Sequence, residues 1–311
     1  MKIISWNAQG AFRNKFEDIV NLNPDILVVI ECESLAKIPT HKMNPNPSNS
    51  YWYSDTGKKG IAIFTFGDFD FNILPIHNPV FRYILPLHVK SPTSEFILFA
   101  VWAMDHDYDP LSRYIGQIWN AINFYKCIFH HDCIVIGDFN SNKIWDGKAR
   151  SGNHSSVVNF LETYGLVSAY HTYFKEVQGE ESRSTFFMHR NINRPYHIDY
   201  AFVPDRWCDY SFSLEVGEIN DWIHLSDHVP LILNIDPQDC RFQDFSNNLY
   251  FVESFINEFD ENFRQKFNWE IKRLFEIAKH VADNKIDNKV LYTQLETLSK
   301  MNNLYLNLLL D

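Results

Sequence analysis

IVIGDFNSNK, residues 134–143, is the stretch on which the fold turns. A β-branched run from Ile134 to Ile136 meets Gly137, and then Asp138 and Asn140 flank Phe139. Side chains alternate faces along a strand, so Asp138 and Asn140 point one way and Phe139 the other. Phe139 is expected to enter the core, and Asp138 and Asn140 to sit together at a sheet edge facing solvent. Gly137 lets another backbone or a ligand come close. Taken alone, the stretch reads equally as a strand followed by an Asx turn. The rest of the chain decides.

Other strand-like runs also end in polar residues. The first, KIISWN, ends in Trp6 and Asn7, followed by Ala8-Gln9-Gly10. PDILVVIE is apolar until Glu31, HIDYAF sets Asp199 among strand formers, and LSDHVPL places Ser226-Asp227-His228 before the last strand. Singly, each has an ordinary reading as a turn or a solvated strand end. A buried carboxylate is less ordinary, because it loses its hydration and needs a partner or a metal. Asp199, with strand residues on both sides, already asks for one.

Bulk composition bounds the alternatives. At 311 residues, 45% hydrophobic and 16% aromatic with 26 Phe, the chain has material for one large domain or two small ones. No apolar run approaches the roughly 20 residues of a membrane span. The opening stretch, KIISWNAQG, is too short for a signal-peptide core, so a soluble cytoplasmic protein without a membrane partner is expected. The cysteines, Cys32, Cys127, Cys133, Cys208 and Cys240, are odd in number and form no CxxC, which argues against a disulfide framework or a zinc site. A net charge of −11 excludes a broad basic face for nucleic acid, though not local phosphate contacts bridged by cations.

Residues 1–236 alternate strand-like runs with helical ones at 13–22, 111–129 and 154–164. Leu111, Ile115, Ile118, Trp119, Ile122 and Tyr125 give the second its three- and four-residue steps. Many strands and few helices point to two packed sheets with helices outside, not to a strict βαβ repeat. Beyond residue 240 neither Pro nor Gly occurs. Val252, Phe255, Phe259, Phe263, Phe267, Leu274, Ala278 and Val281 follow a helical period, and after DNKIDN (283–288) so do Leu291, Leu295 and Leu298. The division expected is a catalytic domain over 1–240 and a helical hairpin over 241–311, packed on its own domain or serving as a homodimer or partner surface.

Brought together, these polar ends make one site. Asn7, Glu31 and Asp227 are hard oxygen donors that suit Mg²⁺ or Mn²⁺. His228, its tautomer fixed by Asp199, is an oriented acid/base. Asp138 and Asn140 sit where a water or a phosphate oxygen can be held. Carboxylates, an amide and a cation around a phosphate are what phosphoryl transfer to water requires.

ISWNAQG, PDILVVIE, IVIGDFN, HIDYAF and LSDHVPLI, in this order over residues 3–232, resemble the endonuclease/exonuclease/phosphatase superfamily with its DNase I-like fold. The resemblance implies an α/β four-layer α-β-β-α sandwich, here with a C-terminal helical extension, and metal-dependent hydrolysis of phosphate esters. It assigns the metal to Asn7, Glu31 and Asp227. It assigns water activation to Asp138, orientation to Asn140, phosphate contact to His228 and support to Asp199. Glu33 shares a strand face with Glu31; the family places its Glu six residues after the Asp of PD, which selects Glu31 and turns Cys32 to the core. RYIGQIWNAI (113–122) is similar to the exonuclease III-type abasic-site endonucleases, whose preceding strand ends in a Tyr near the phosphate. Here that place falls to Trp102, without a hydroxyl, and His106 is the candidate replacement.

Basic residues flank two of these motifs: Lys143, Lys148 and Arg150 after GDFN, and Arg183, Arg190 and Arg194 before HIDY. Interleaved with Trp145, Phe187 and Tyr196, they read as phosphate contacts and stacking platforms, with Trp102, His106, Lys143, Arg190 and Tyr196 named for substrate binding. The expectation is a nuclease on DNA or RNA leaving 3′-hydroxyl and 5′-phosphate ends. The alternatives are a phosphatase or phosphodiesterase on a small or lipid phosphate, and a non-catalytic binding module using the helical tail.

Overall fold

Alternating apolar residues build two facing sheets in the computed structural model, which describes residues 1–105, 109–237, 248–283, 285 and 288–310. The candidate His106, Cys240 and the expected domain boundary near residue 240 lie outside the described residues. The strands are β1 (Lys2–Asn7), β2 (Ile26–Cys32), β3 (Asn49–Tyr53), β4 (Gly60–Thr65), β5 (Asp70–Ile73), β6 (Ile84–Lys90) and β7 (Glu95–Trp102). They continue as β8 (Cys133–Asp138), β9 (Leu166–Ser168), β10 (Phe186–Phe187), β11 (Pro195–Tyr196), β12 (Asp199–Pro204), β13 (Phe212–Val216) and β14 (Leu231–Ile235). One sheet runs β13-β14-β1-β2-β4-β3, the other β5-β6-β7-β8-β12-β9, and β10 with β11 forms a small ribbon. Only β1–β2 and β7–β8 pair in parallel.

Period-two alternation sorts the side chains into three cores. Ile3, Ile26, Val28, Leu98, Ile134, Ile136 and Ala201 fill the space between the sheets. Ile4, Trp6, Leu27 and Val29 face outward against Phe12 and against Phe16 and Ile19 of α1 (Phe16–Val20). On the far side, Phe99, Val135, Phe139 and Phe202 meet α2 (Ile115–Phe124) and α3 (His154–Thr163). The result is the expected four-layer α-β-β-α sandwich. Two short helices, α4 (Ala169–Phe174) and α5 (Ile219–Trp222), complete this part. No helix among the described residues is long and apolar enough to cross a membrane.

Several expected elements differ. The run 13–22 is a 3-10 turn at Phe12–Asn14 followed by the short α1, and 111–129 is divided by a second 3-10 turn at Lys126–His130. Strands β3, β9 and β13 stand at sheet edges and lack the clean alternation that marks a strand in the sequence. The tail is more than a hairpin. It forms α6 (Asn248–Asn257), α7 (Glu261–Lys266), α8 (Asn268–Ala282) and α9 (Asn288–Leu310). The unbroken Phe period hides the break, which Asp260 makes by accepting the amides of Asn262 and Phe263 as an N-cap. These helices dock on α2: Phe255 meets Phe124 with ring centroids 5.5 Å apart, and Glu258 takes Lys126 at 3.4 Å and His130 at 3.0 Å.

Phe255 is the apolar anchor of that contact, buried among Phe124, Phe251 and Phe259. Phe255→Ala is expected to cost about 3–5 kcal/mol of stability, as large aromatic deletions in cores do, and to open residues 248–310 to limited proteolysis. Urea unfolding and protease mapping measure both; a loss below about 1 kcal/mol would show that this docking contributes little.

Candidate active site

Strand parity brings the site together. In β1, Ile3 faces the inter-sheet core, so Asn7, four residues on, faces it as well. The same count carries Asp138 from Ile134 and Ile136 in β8, and Asp199 from Ala201 and Val203 in β12. All three therefore project from strand ends into one gap. Asn7 Nδ2 donates to Asp138 Oδ2 across the sheets at 3.0 Å, and Asp199 stands opposite Asp138 in the β12–β8 register. Asp138 is 1% exposed. That corrects the expectation of a solvent-facing edge, since β8 is an interior strand of its sheet. Phe139 turns the other way, as expected, and packs on Tyr200 and Phe202. Gly137 has φ +147°, and a Cβ there would lie 2.0 Å from the Val101 carbonyl oxygen of β7.

Glu31 breaks the parity. The β2–β4 register slips between Val29 and Cys32, and Glu31 takes φ 57°, a left-handed conformation unusual for Glu. Such a bulge re-aims one side chain. Glu31 Oε1 reaches Asn7 Nδ2 at 3.3 Å and Oε2 meets Lys59 Nζ at 2.5 Å. Its rival Glu33 is spent elsewhere: it accepts the Phe12 and Arg13 amides and pairs with the Arg13 guanidinium at 2.9 Å. Cys32 is buried against the outer core, as expected.

The segment Ser226-Asp227-His228 is pinned to β1. Ser226 Oγ donates to the Asn7 carbonyl at 2.7 Å and receives the His228 amide, while Trp6 Nε1 donates to the His228 carbonyl at 3.0 Å. His228 Nδ1 then lies 2.9 Å from Asp199 Oδ2, and Nε2 lies 4.0 Å from Asp138 Oδ2. Burial opposes charge on the ring, yet Asp199 first, and then Asp138 and Asp227, raise His228 to about 9. These carboxylates favour the imidazolium form of the ring. Burial, and next the Asp199 charge, push Asp138 up to about 7 against the pull of His228 and of donors from Asn140 and Asn7. Its surroundings therefore favour the protonated form more than an ordinary carboxylate's do.

Asn140 supports that carboxylate. In a left-handed conformation (φ 46°), its amide N–H donates to Asp138 Oδ1 at 2.8 Å, and Nδ2 holds the Ala103 carbonyl at 2.8 Å. Asp227 is raised by burial, with His228 opposing and Glu31 adding to the rise. Its Oδ2 accepts Gln9 Nε2 at 2.8 Å, and Gln9 Oε1 is clasped by Arg190 at 2.7 Å.

A divalent ion fits this set. Glu31 and Asp227 are hard oxygen donors, and the Glu31 charge disfavours that of Asp227, a conflict a cation would relieve. Asn7, expected among the ligands, turns its NH₂ to Glu31 and Asp138 and its oxygen to the Gln9 amide at 3.0 Å; it orders the two carboxylates. Asp138, Asp199 and His228 also bring one ligand atom each within 4.8 Å of one another. There the imidazolium itself supplies the positive charge.

A cavity of about 240 Å³ opens beside Asn140, lined by Tyr114, Trp145, Lys148, Arg150, Phe186 and Tyr196 among others. Tyr196 lines this cavity, its ring 5.3 Å from that of Trp145. Phe186 and not Phe187 faces the site, its ring 4.6 Å from His228, while Phe187 joins the outer core. Lys148 and Arg150 reach this cavity; Lys143 instead lies along Gly179. Arg190 does not stand free for phosphate, since it also holds the carbonyls of His224 and Leu225. Trp102, opposite Asp138 in register, is 6% exposed and packs on Tyr83 in the inter-sheet core, because its parity is that of Leu98 and Ala100. Gln9, Lys59, Thr185 and Ser226 went unassigned. Of these, Gln9 and Ser226 stood within the quoted motifs, while Lys59 and Thr185 carried no local signal.

Behind GDFN, Glu181 ties three segments. Its carboxylate meets Asn142 Nδ2 at 3.0 Å, the Gly179 amide at 2.9 Å and His171 Nε2 at 3.1 Å. Burial alone would raise this acid, but those donors, His171 foremost, hold it at about 2.

The sequence profile of the Endonuclease/Exonuclease/phosphatase family matches residues 4–228. No curated protein sequence matches the chain. Among solved structures, the 3′-5′ exonuclease NExo from Neisseria meningitidis is similar over 76% of this chain and 100% of its own, at 18% identity and a TM-score of 0.57. An AP endonuclease from Archaeoglobus fulgidus is similar over 76% and 100%, at 15% identity and a TM-score of 0.55. Truncated Caenorhabditis elegans TDP2 is similar over 76% and 97%, at 15% and 0.54. These likenesses show a shared fold.

Glu181 makes stability depend on acid in a defined direction. Its folded value, about 2, lies below the ordinary range, so its contribution is present above the unfolded value and is lost as pH falls through about 2. Glu181→Gln is expected to cost on the order of 3 kcal/mol at pH 7 and progressively less below pH 4. Chemical denaturation of both proteins across pH 2–7 tests this; a gap that stays constant with pH would remove the ionic contribution.

Proposed function

The chain belongs to the Endonuclease/Exonuclease/phosphatase family, and within it we propose a divalent-metal-dependent nuclease that hydrolyses phosphodiesters to 3′-hydroxyl and 5′-phosphate ends. The observation that carries this is the buried triplet of Asp138, Asp199 and His228, charged in opposite senses, beside an aromatic cavity edged by Lys148 and Arg150. Residues 1–240 are taken as the catalytic domain and 241–311 as its helical extension.

Each residue has work that its position allows. Asp138, raised to about 7, accepts the proton of an attacking water. Asn140 and Asn7 hold that carboxylate by three hydrogen bonds, so the acceptor atom stays aimed into the gap. His228, kept protonated by Asp199, points Nε2 at the same gap and donates to a phosphate oxygen as negative charge grows there. Mg²⁺ or Mn²⁺ held by Glu31 and Asp227 supplies neutralisation of the phosphate when bound. Gln9, fixed by Arg190, keeps Asp227 in place. Phe186, Tyr196 and Trp145 offer ring faces to a nucleotide, and Lys148 and Arg150 offer charge to its neighbouring phosphate. Such a local cationic rim serves an acidic protein, whose net charge of −11 disfavours holding nucleic acid elsewhere.

Single- and double-stranded oligonucleotides, with inositol phosphates as controls, are to be incubated with Mg²⁺, Mn²⁺ or EDTA and the product ends mapped. Cleavage to 3′-hydroxyl ends that stops in EDTA is expected. Turnover of the inositol phosphates alone would overturn the nuclease assignment. Asp138→Asn is expected to lower turnover by about 10²–10⁴-fold, the range for a lost acid/base group, with an unchanged circular dichroism spectrum; near wild-type rates would refute its role.

A further inference from the structure

Three cations border Glu31 and Asp227, and they are held differently. Lys15 Nζ is clasped by the carbonyls of Ala8 at 2.6 Å and Gly10 at 2.8 Å. Arg190 is clasped by Gln9 and by the carbonyls of His224 and Leu225. Both serve to order loops. Lys59 has one partner for its ammonium, the Glu31 carboxylate, at 2.5 Å.

The protein is shaped to bring Lys59 there. Its main-chain carbonyl accepts from Ser54 Oγ at 2.7 Å and from the Tyr83 hydroxyl at 3.2 Å. Tyr83 is itself buried against Trp102, so the root of the lysine is fixed to the inter-sheet core. Its stem crosses Gly10: a Cβ at that glycine would sit 3.3 Å from Lys59 Cε, at a φ of +80° that other residues rarely adopt. Glu31 reaches the meeting point from the other side through its bulge and left-handed backbone. A fixed root, a cleared path and a re-aimed carboxylate thus converge on a lysine whose side chain is still 46% exposed.

Lys59 engages Oε2 of the carboxylate that a divalent ion at Glu31 would also use, and an ammonium beside a dication is repelled at such distances. No other group among the described residues anchors the ammonium, and its rotatable stem lets it leave. Resting on the assignment of Glu31 as an ion ligand, we propose that Lys59 is a built-in competitor of the divalent ion. It satisfies Glu31 until the ion arrives, and it thereby sets the ion concentration at which the site fills. Lys59 is a positioning residue in this scheme, and its effect is on ion affinity.

Mn²⁺ binding without nucleic acid, by calorimetry and by electron paramagnetic resonance of the free ion, tests this on the full chain, Lys59→Met and Glu31→Gln. Met keeps the stem that lies along Gly10 and removes the charge. Lys59→Met is expected to bind Mn²⁺ about two- to fivefold more tightly than the wild type, the range for removing one exposed ion pair. Glu31→Gln is expected to bind about tenfold or more weakly, as altered ion sites do. If Lys59→Met binds equally or more weakly while Glu31→Gln loses affinity, the competition is refuted and the role of Glu31 stands. If Glu31→Gln binds like the wild type, the ion assignment fails and the competition with it.

Discussion

One side-chain amide joins the two sheets at their catalytic ends. Asn7 Nδ2 lies 3.0 Å from Asp138 and 3.3 Å from Glu31, so a group from the first strand sits between carboxylates of both sheets. An amide can donate to two acceptors at once, and it carries no charge of its own into a space where charge is costly. The oxygen of the same amide is occupied by the Gln9 main chain, which fixes which end faces the acids. The sandwich thus has to pack with β1 and β8 at one separation, and the packing of Ile3, Ile134 and Ile136 supplies that separation.

Around this bridge, charge is arranged in alternation. Going outward from His228, an imidazolium lies between Asp199 and Asp138, and an ammonium rests on Glu31. Burial alone would drive the His228 ring to its neutral form, and the neighbouring carboxylates, Asp199 first, oppose that. Hydrogen bonds complete the arrangement. Thr185 Oγ1 accepts the amides of both Ile198 and Asp199, which fixes the strand end carrying Asp199. Phe187 donates its amide to the Asp227 carbonyl, and so the ribbon fixes the segment carrying His228. The ribbon is a strut between two catalytic segments.

Much of this was legible in the sequence, for a physical reason. Asn7 and Asp138 end apolar strands of regular period and Asp199 begins one, so period dictates the face on which each emerges. His228 stands just before β14 and is set by the hydrogen bonds of its segment to β1. Glu31 was legible only through its spacing from Asp25, because a bulge overrides the parity that alternation predicts. Trp102, named from the place of a Tyr in similar endonucleases, stands opposite Asp138 in register with its ring packed on Tyr83. The basic residues fared worst. Lys143, Lys148, Arg150 and Arg190 stand in turns, where direction depends on loop conformation and not on period, and only Lys148 and Arg150 reach the aromatic cavity. The tail's four helices were hidden for a related reason: a phenylalanine every fourth residue continues through Asp260, whose capping is a local event the period does not register.

The pairing of β1 has a temporal consequence. β1 is flanked by β2 on one side and by β14 on the other, a partner more than two hundred residues away. While the polypeptide emerges from a ribosome, Asn7, Glu31 and Asp138 are already made, yet the segment that closes over them, with its histidine, is among the last of the sandwich to appear. An incomplete polypeptide therefore carries an open edge at β1 until the far end of the sandwich docks beside its beginning.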